Sequence, residues 1–211
     1  MLLINACTES KHAEIVYSDY LKYYTPKNLN NKGRIDSVIS ENKNFVTFFD
    51  YTINNKLVRI KGKLDNIAYG HLFTFDSIGH LTKYSYLVGD GAHNSYEIEK
   101  SFLEDNYTEL GSPFVDYMLN KGISYNSKKK YSFLFSSFPR KILKISFSTN
   151  GRNYDTSNLY QSKIMPLLME MDLYCNPGDT KVFFKIETEK PTLMLNRLNT
   201  TKVFYDTINL K

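Results

Sequence analysis

The sequence contains no tryptophan, only two cysteines and four histidines, and no apolar run near the ~18 residues that a membrane-crossing helix requires. Each shortage excludes something. Cys7 and Cys175 are too few for a paired-cysteine zinc framework or a dense disulfide scaffold. The lack of tryptophan weakens any carbohydrate platform built on indole rings. No glycine-flanked serine elbow and no phosphate-cradling glycine loop occurs, which removes the commonest signatures of serine hydrolases and nucleotide binders. With a mean hydropathy of −0.40, any membrane attachment must be covalent or peripheral.

Charge of one sign is also scarce. The chain carries 27 basic and 22 acidic residues, a formal +5, scattered along its length as in ordinary soluble domains. No nucleic-acid partner is expected. The basic groups Lys128-Lys129-Lys130 and Arg140, Lys141 and Lys144 adjoin strand-like runs, where lysines cover an exposed face or discourage edge pairing.

What is abundant is aromatic: 17 tyrosines and 14 phenylalanines among 211 residues, with 42% hydrophobic content. These bulky residues cluster between asparagine, serine, glycine and lysine, a strand-and-turn composition able to bury one sizeable core or two small ones.

Along the chain, Ala13, Val16, Tyr17, Tyr20, Leu21 and Tyr24 recur at three- and four-residue spacing until Pro26, predicting an amphipathic helix over residues 10–24. Residues 28–43 read as a polar loop anchored by Ile35, Val38 and Ile39. Strands are expected over 45–51 and 57–60, joined through Asn54-Asn55, and again over 69–75 and 81–88, forming an antiparallel meander. Ser112-Pro113, Phe114, Tyr117, Met118 and Gly122 carry the asymmetry of a short helix, serine at its cap, proline in its first turn and glycine past its end. The basic stretch 124–130 reads as a linker.

Beyond it, Leu143, Ile145 and Phe147 alternate with polar residues, and Asn150-Gly151 suits a type I′ turn. Met165, Leu167, Met169, Met171 and Leu173 form a second inward row, Val182, Phe184 and Ile186 a third, and residues 203–208 a last strand. The fold class expected is mainly β: an antiparallel hairpin and meander region with one or two short helices, then an immunoglobulin-like β-sandwich. The domains expected are a lipid-anchor tether remnant over 1–11, a helix-plus-meander domain over 12–123, the linker 124–130 and the sandwich over 131–211.

Two local patterns resemble known families. Leu3-Ile4-Asn5-Ala6-Cys7 resembles the lipobox of bacterial lipoproteins, and Thr8-Glu9-Ser10-Lys11 suits a tether. That resemblance implies acylation of Cys7, a start codon upstream of Met1, and an envelope location, at the outer membrane if the host has one. Separately, Gly62, Gly70, Phe73, Phe75, Asp76, Gly79 and Leu81 resemble one unit of the MORN-type hairpin repeats of some surface lipoproteins and antitoxin-like proteins. One unit implies a local hairpin, because repeat units need neighbours to bury their faces.

Candidate chemistry is sparse. His71, Asp76, His80, Asp90 and His93 are the candidate metal ligands, able to converge if the loop after the meander folds back. The acidic run Asp90, Glu97, Glu99, Glu104 and Asp105 lacks the spacing of a calcium loop. Cys175 could act as a nucleophile only if a histidine approached from the other half, since none follows His93. The reading is therefore a non-catalytic, lipid-anchored bacterial envelope protein with no cofactor, binding a protein or glycan partner. Its alternatives are a hydrolase using the histidine and aspartate group, and a cytosolic immunity or antitoxin-like protein.

Overall fold

The computed structural model describes residues 12–23, 25–40, 44–88, 100–101, 112–138, 140–163, 165–191 and 201–210. The chain divides between Glu109 and Leu110 into two units, each with its own sheets.

In the first unit, helix α1 (His12–Tyr23) precedes β1 (Thr25–Leu29), β2 (Ile35–Ile39), β3 (Phe45–Tyr51), β4 (Leu57–Leu64), β5 (Ile67–Phe75), β6 (Leu81–Val88) and β7 (Lys100–Ser101). The strands lie side by side in chain order, a pure antiparallel meander. Alternation along β3 buries Phe45, Thr47 and Phe49 on one side and leaves Val46, Phe48 and Asp50 on the other, half-buried. Helix α1 packs on the buried side: Tyr17 and Tyr20 meet the Phe49 ring edge-on at 5.2 and 5.9 Å, and Tyr20 meets Phe73 at 6.5 Å. The helix start is tied to the β5–β6 turn by the Ala13 N–H, which donates to the Gly79 carbonyl at 3.0 Å. Full burial of rings such as Phe73 contributes about 1.5–3 kcal/mol each, which offsets the modest helix propensity of a tyrosine-rich segment.

Turn chemistry sets the registers. Asp65 and Asn66 have φ of 48° and 69°, the pair of positive values that a two-residue type I′ hairpin between β4 and β5 requires. Asn55 at φ 62° serves the β3–β4 turn, as its sequence context suggests. Residues 28–43, expected as a loop, contain β2 and the end of β1. In that hairpin Asn30 Oδ1 accepts from the Lys32 and Arg34 N–H groups at 3.0 and 2.9 Å, so a side chain substitutes for ladder bonds and hides the hairpin in a polar stretch.

The second unit holds β8 (Phe114–Tyr125), β9 (Lys128–Ser136), β10 (Arg140–Ser148), β11 (Asp155–Thr156), β12 (Tyr160–Gln161), β13 (Leu168–Cys175), β14 (Lys181–Pro191) and β15 (Lys202–Asn209). They form two four-stranded sheets, ordered β12-β13-β9-β8 and β11-β10-β14-β15. Lettered in chain order with one added C′ strand, these are D-E-B-A and C′-C-F-G, the immunoglobulin strand order. One buried cluster joins both sheets, with Phe184 of the second sheet 5.0 Å from Phe133, 5.3 Å from Phe135 and 6.1 Å from Phe114 of the first.

Several local expectations are corrected. Residues 112–122 are not a helix: Ser112 and the Phe114 segment lead into β8, where a bulge between Phe114 and Asp116 puts Phe114 and Tyr117, three residues apart, on the same face, as a helix also would. The Ser112 hydroxyl does accept the Phe114 N–H at 3.2 Å, as a cap would, but it also donates to Asp206 of β15. Residues 124–130 are not a linker: Asn126 and Ser127, at φ 48° and 63°, turn β8 directly into β9. Lysines at 128–130 face outward or sit at the sheet end, which masks the strand pattern. Leu143 is 49% exposed because a bulge between Ile142 and Lys144 moves Ile142 inward in its place. At Asn150-Gly151 only Gly151 has positive φ, 72°, and the chain makes a longer loop in which Ser148 Oγ accepts from the Gly151 N–H at 3.0 Å. Leu167, at φ 61°, precedes β13 rather than continuing its inward row.

Candidate functional site

The histidines and carboxylates singled out from sequence do different structural jobs. His71 on β5 is 1% exposed, its Nδ1 lies 2.8 Å from the Tyr84 hydroxyl, and its ring sits among those of Phe73, Tyr84 and Tyr86 at 5.7, 5.7 and 5.1 Å. Asp76 closes the β5–β6 turn, with Oδ1 accepting from the Ile78 and His80 N–H groups at 2.9 and 2.8 Å. Burial alone would raise its carboxyl, but these backbone donors and the neighbouring His80 hold it below the usual aspartate range. His80 Nδ1 stands 3.8 Å from Asp76, and its ring is 5.6 Å from that of His12, whose Nδ1 accepts from the Leu81 N–H at 3.2 Å. Asp76 and His80 thus share a turn while His71 belongs to the core. Among the described residues no group of three His, Cys, Asp or Glu side chains is placed to hold a metal ion. Asp90, His93 and Cys7 lie outside the described residues.

Cys175 ends β13 inside the sandwich core, where burial pushes its thiol up to about 11, with Asp179 adding and Lys128 opposing. A cysteine nucleophile needs the reverse, a depressed thiol in an electropositive, partly open setting.

Two surface features emerge instead. On the outward side of the first sheet, Tyr125 and Tyr174 meet edge to face at 6.1 Å and are 66% and 45% exposed. Lys128 and Lys130 pair with them across the ladders. Beside them the Asp172 carboxylate accepts from Lys130 Nζ at 2.8 Å and from the Ser132 hydroxyl. Partial burial by itself would raise Asp172; the hydrogen bonds from Lys130, Ser132 and Tyr160 and the Lys130 charge bring it below the ordinary range. The Tyr160 hydroxyl is correspondingly pushed up, first by burial and then by Asp172. The Ser162 hydroxyl donates to Glu170. Every polar group in this network is matched by a neighbour, the state in which a half-buried network rigidifies a surface rather than reacts.

The second feature is a cleft of about 710 Å³ in the first unit. The β2–β3 ladder ends at Ser37↔Phe48, whereas β1–β2 continues to Leu29↔Ile35 and β3–β4 to Tyr51↔Leu57. The two hairpin ends therefore part, and the gap between them is the cleft. Cross-links hold its walls: Asn30 Nδ2 donates to Asn55 Oδ1 at 3.0 Å, Lys32 Nζ to the Ile53 carbonyl at 2.6 Å, and the Tyr51 hydroxyl to the Ile35 carbonyl at 2.7 Å. Behind them Arg34 lies over the Tyr17 and Tyr51 rings at 4.7 and 4.9 Å and forms a forked pair with Glu14. No single motif marked this cleft in the sequence. Its only trace is the density of asparagines at 28, 30, 31, 54 and 55.

Protein-family models, curated proteins and solved structures give no match to this chain. Strand order and surface alone define its class: a helix-backed meander followed by an immunoglobulin-like sandwich with an exposed tyrosine face.

Proposed function

We propose that the chain is a non-catalytic binding protein of a bacterial envelope, anchored to a membrane through acylation of Cys7 and engaging a protein or glycan partner. The observation that carries the binding role is the Tyr125–Tyr174 pair, standing in water on a sheet whose other side is fully packed. Tyrosine supplies flat apolar area with a polar tip at low entropic cost on recognition surfaces. The commitment of His71 to the core, Asp76 to a turn and Cys175 to the sandwich interior weighs against the hydrolase alternative. The anchor is supported by Leu3-Ile4-Asn5-Ala6-Cys7.

Growth of a bacterial host with an alkyne fatty acid tests the anchor. The wild-type chain should take up label and sediment with membranes, and Cys7→Ser should do neither. An intact mass equal to the unmodified polypeptide beginning at methionine would overturn it.

A further inference from the structure

We infer that the cleft between the two hairpin ends of the first unit is a binding site for a short, uncharged oligosaccharide. This rests on the reading of the chain as a binding protein and adds a second site with its own ligand chemistry. Three observations lead there.

The first is form. A cleft of about 710 Å³ falls within the roughly 300–1,000 Å³ of small-molecule sites. Its walls are fixed by bonds between hairpins, from Asn30 to Asn55 and from Lys32 to Ile53, so little ordering remains to be done when a ligand enters.

The second is the hydrogen-bonding complement. Asn31 and Asp36 line the cleft and make no side-chain hydrogen bond among the described residues. Asn28 uses its Nδ2 on Ser37 and keeps its carbonyl oxygen, whereas Asn55 accepts at Oδ1 and keeps its amide hydrogens. Planar amides that donate and accept side by side, next to a carboxylate that accepts, match neighbouring hydroxyls, each of which is both donor and acceptor. Phe48, half-buried with Lys63 Nζ over its ring at 5.9 Å, adds apolar surface to the same wall.

The third is charge. The cations around the cleft each have a neighbour: Arg34 pairs with Glu14, Arg59 and Lys61 with Asp50 at 3.1 and 2.9 Å, Lys32 is bound to a carbonyl, and Lys63 Nζ lies 5.9 Å from the centroid of the Phe48 ring. A site for carboxylate, sulfate or phosphate would present an unpaired guanidinium or ammonium. Here the lining charges, Lys32 against Asp36 and Asp50, give no net attraction for an anion.

The test is titration of the full chain with a panel of neutral tri- and tetrasaccharides of glucose, N-acetylglucosamine, mannose and galactose, beside sulfated and uronic analogues. Binding of at least one neutral glycan is expected, weakened about tenfold or more by Asn31→Ala and by Asp36→Ala, each of which removes a hydrogen-bonding partner. Both sites are on the surface, so thermal unfolding of the variants should match the parent. No neutral binder, preference for the charged analogues, or affinity indifferent to both substitutions would overturn the inference. Acylation of Cys7 with no glycan binding sinks only this site. Glycan binding by an unacylated chain sinks only the envelope reading.

Discussion

Gly62 is a tight point of the meander. A Cβ built there would stand 2.4 Å from the Tyr69 carbonyl oxygen and 2.5 Å from Phe45 Cζ, and neither a ladder carbonyl nor a buried ring can retreat cheaply. Gly62→Ala should lower stability by about 1–3 kcal/mol, read as an earlier urea midpoint and as faster hydrogen exchange in β3 to β5. Opposite it in the ladder, Thr47 is 1% exposed and its hydroxyl has no hydrogen-bond partner among the described residues. Thr47→Val keeps the shape and removes a desolvated polar atom, so it should raise stability by about 1 kcal/mol in the same assay. At this scale much of the chemistry was legible early. Asn55 announces its positive φ, and Cys175 announces burial by ending an apolar run. His71, Asp76 and His80 were not, because an imidazole reads identically whether it packs against Tyr84 or faces a turn, and only burial tells the two apart.

Elements show where local pattern misleads. The apolar alternation of β10 places Leu143 with Ile145 and Phe147, but register shifts on both sides of Ile142, the second a bulge before Lys144, leave Ile142 and Ile145 buried while Leu143 faces water. Ile145→Ala should cost about 2–4 kcal/mol, and Leu143→Ala less than about 0.5 kcal/mol. Equal losses from both in denaturant unfolding would place the bulge elsewhere. The same device misdirects the reading of β8: its bulge puts Phe114 and Tyr117, three residues apart, on one face as a helix would, and Ser112 caps a strand entry with the hydrogen bond usually seen at a helix start. The helix α1 and strands β3 to β6 were readable because apolar runs and turn residues bound each of them, even though ladder irregularities fall at the ends of β3 and β5 and within β4. Strands β1 and β2, and the places where bulges fall, were not, since a bulge is a decision between two chains of hydrogen bonds that neither makes alone.

For the whole molecule, charge divides unevenly. Residues 1–109 carry 12 basic and 14 acidic side chains, and residues 110–211 carry 15 and 8. The sandwich therefore bears the positive surplus, and its Asp172 network makes it sensitive to acid. A carboxyl held low in the folded state contributes stability above its unfolded value, about 3.9, and loses it as pH falls through the folded value. Stability measured by urea unfolding should thus decline on acidification below about pH 4, with a shallower decline in Lys130→Met, which lacks the main hydrogen-bond donor to Asp172. Cys175 offers a reporter for the same unit. With its thiol buried and pushed up to about 11, a Cys7→Ser chain at pH 8 should react with a disulfide reagent only as fast as the sandwich opens, and immediately in denaturant.

By itself the sequence determined that the protein is built of strands, that one amphipathic helix precedes a meander and that a sandwich follows, because side-chain alternation and turn residues act over a few neighbours. Tertiary structure alone decided which strands share a sheet, which alternating rows are broken by bulges, and where a ladder stops short to leave a cleft. Those outcomes depend on packing between residues far apart in the chain, such as Phe133 against Phe184 or Asn30 against Asn55, and no local pattern encodes the distance between them.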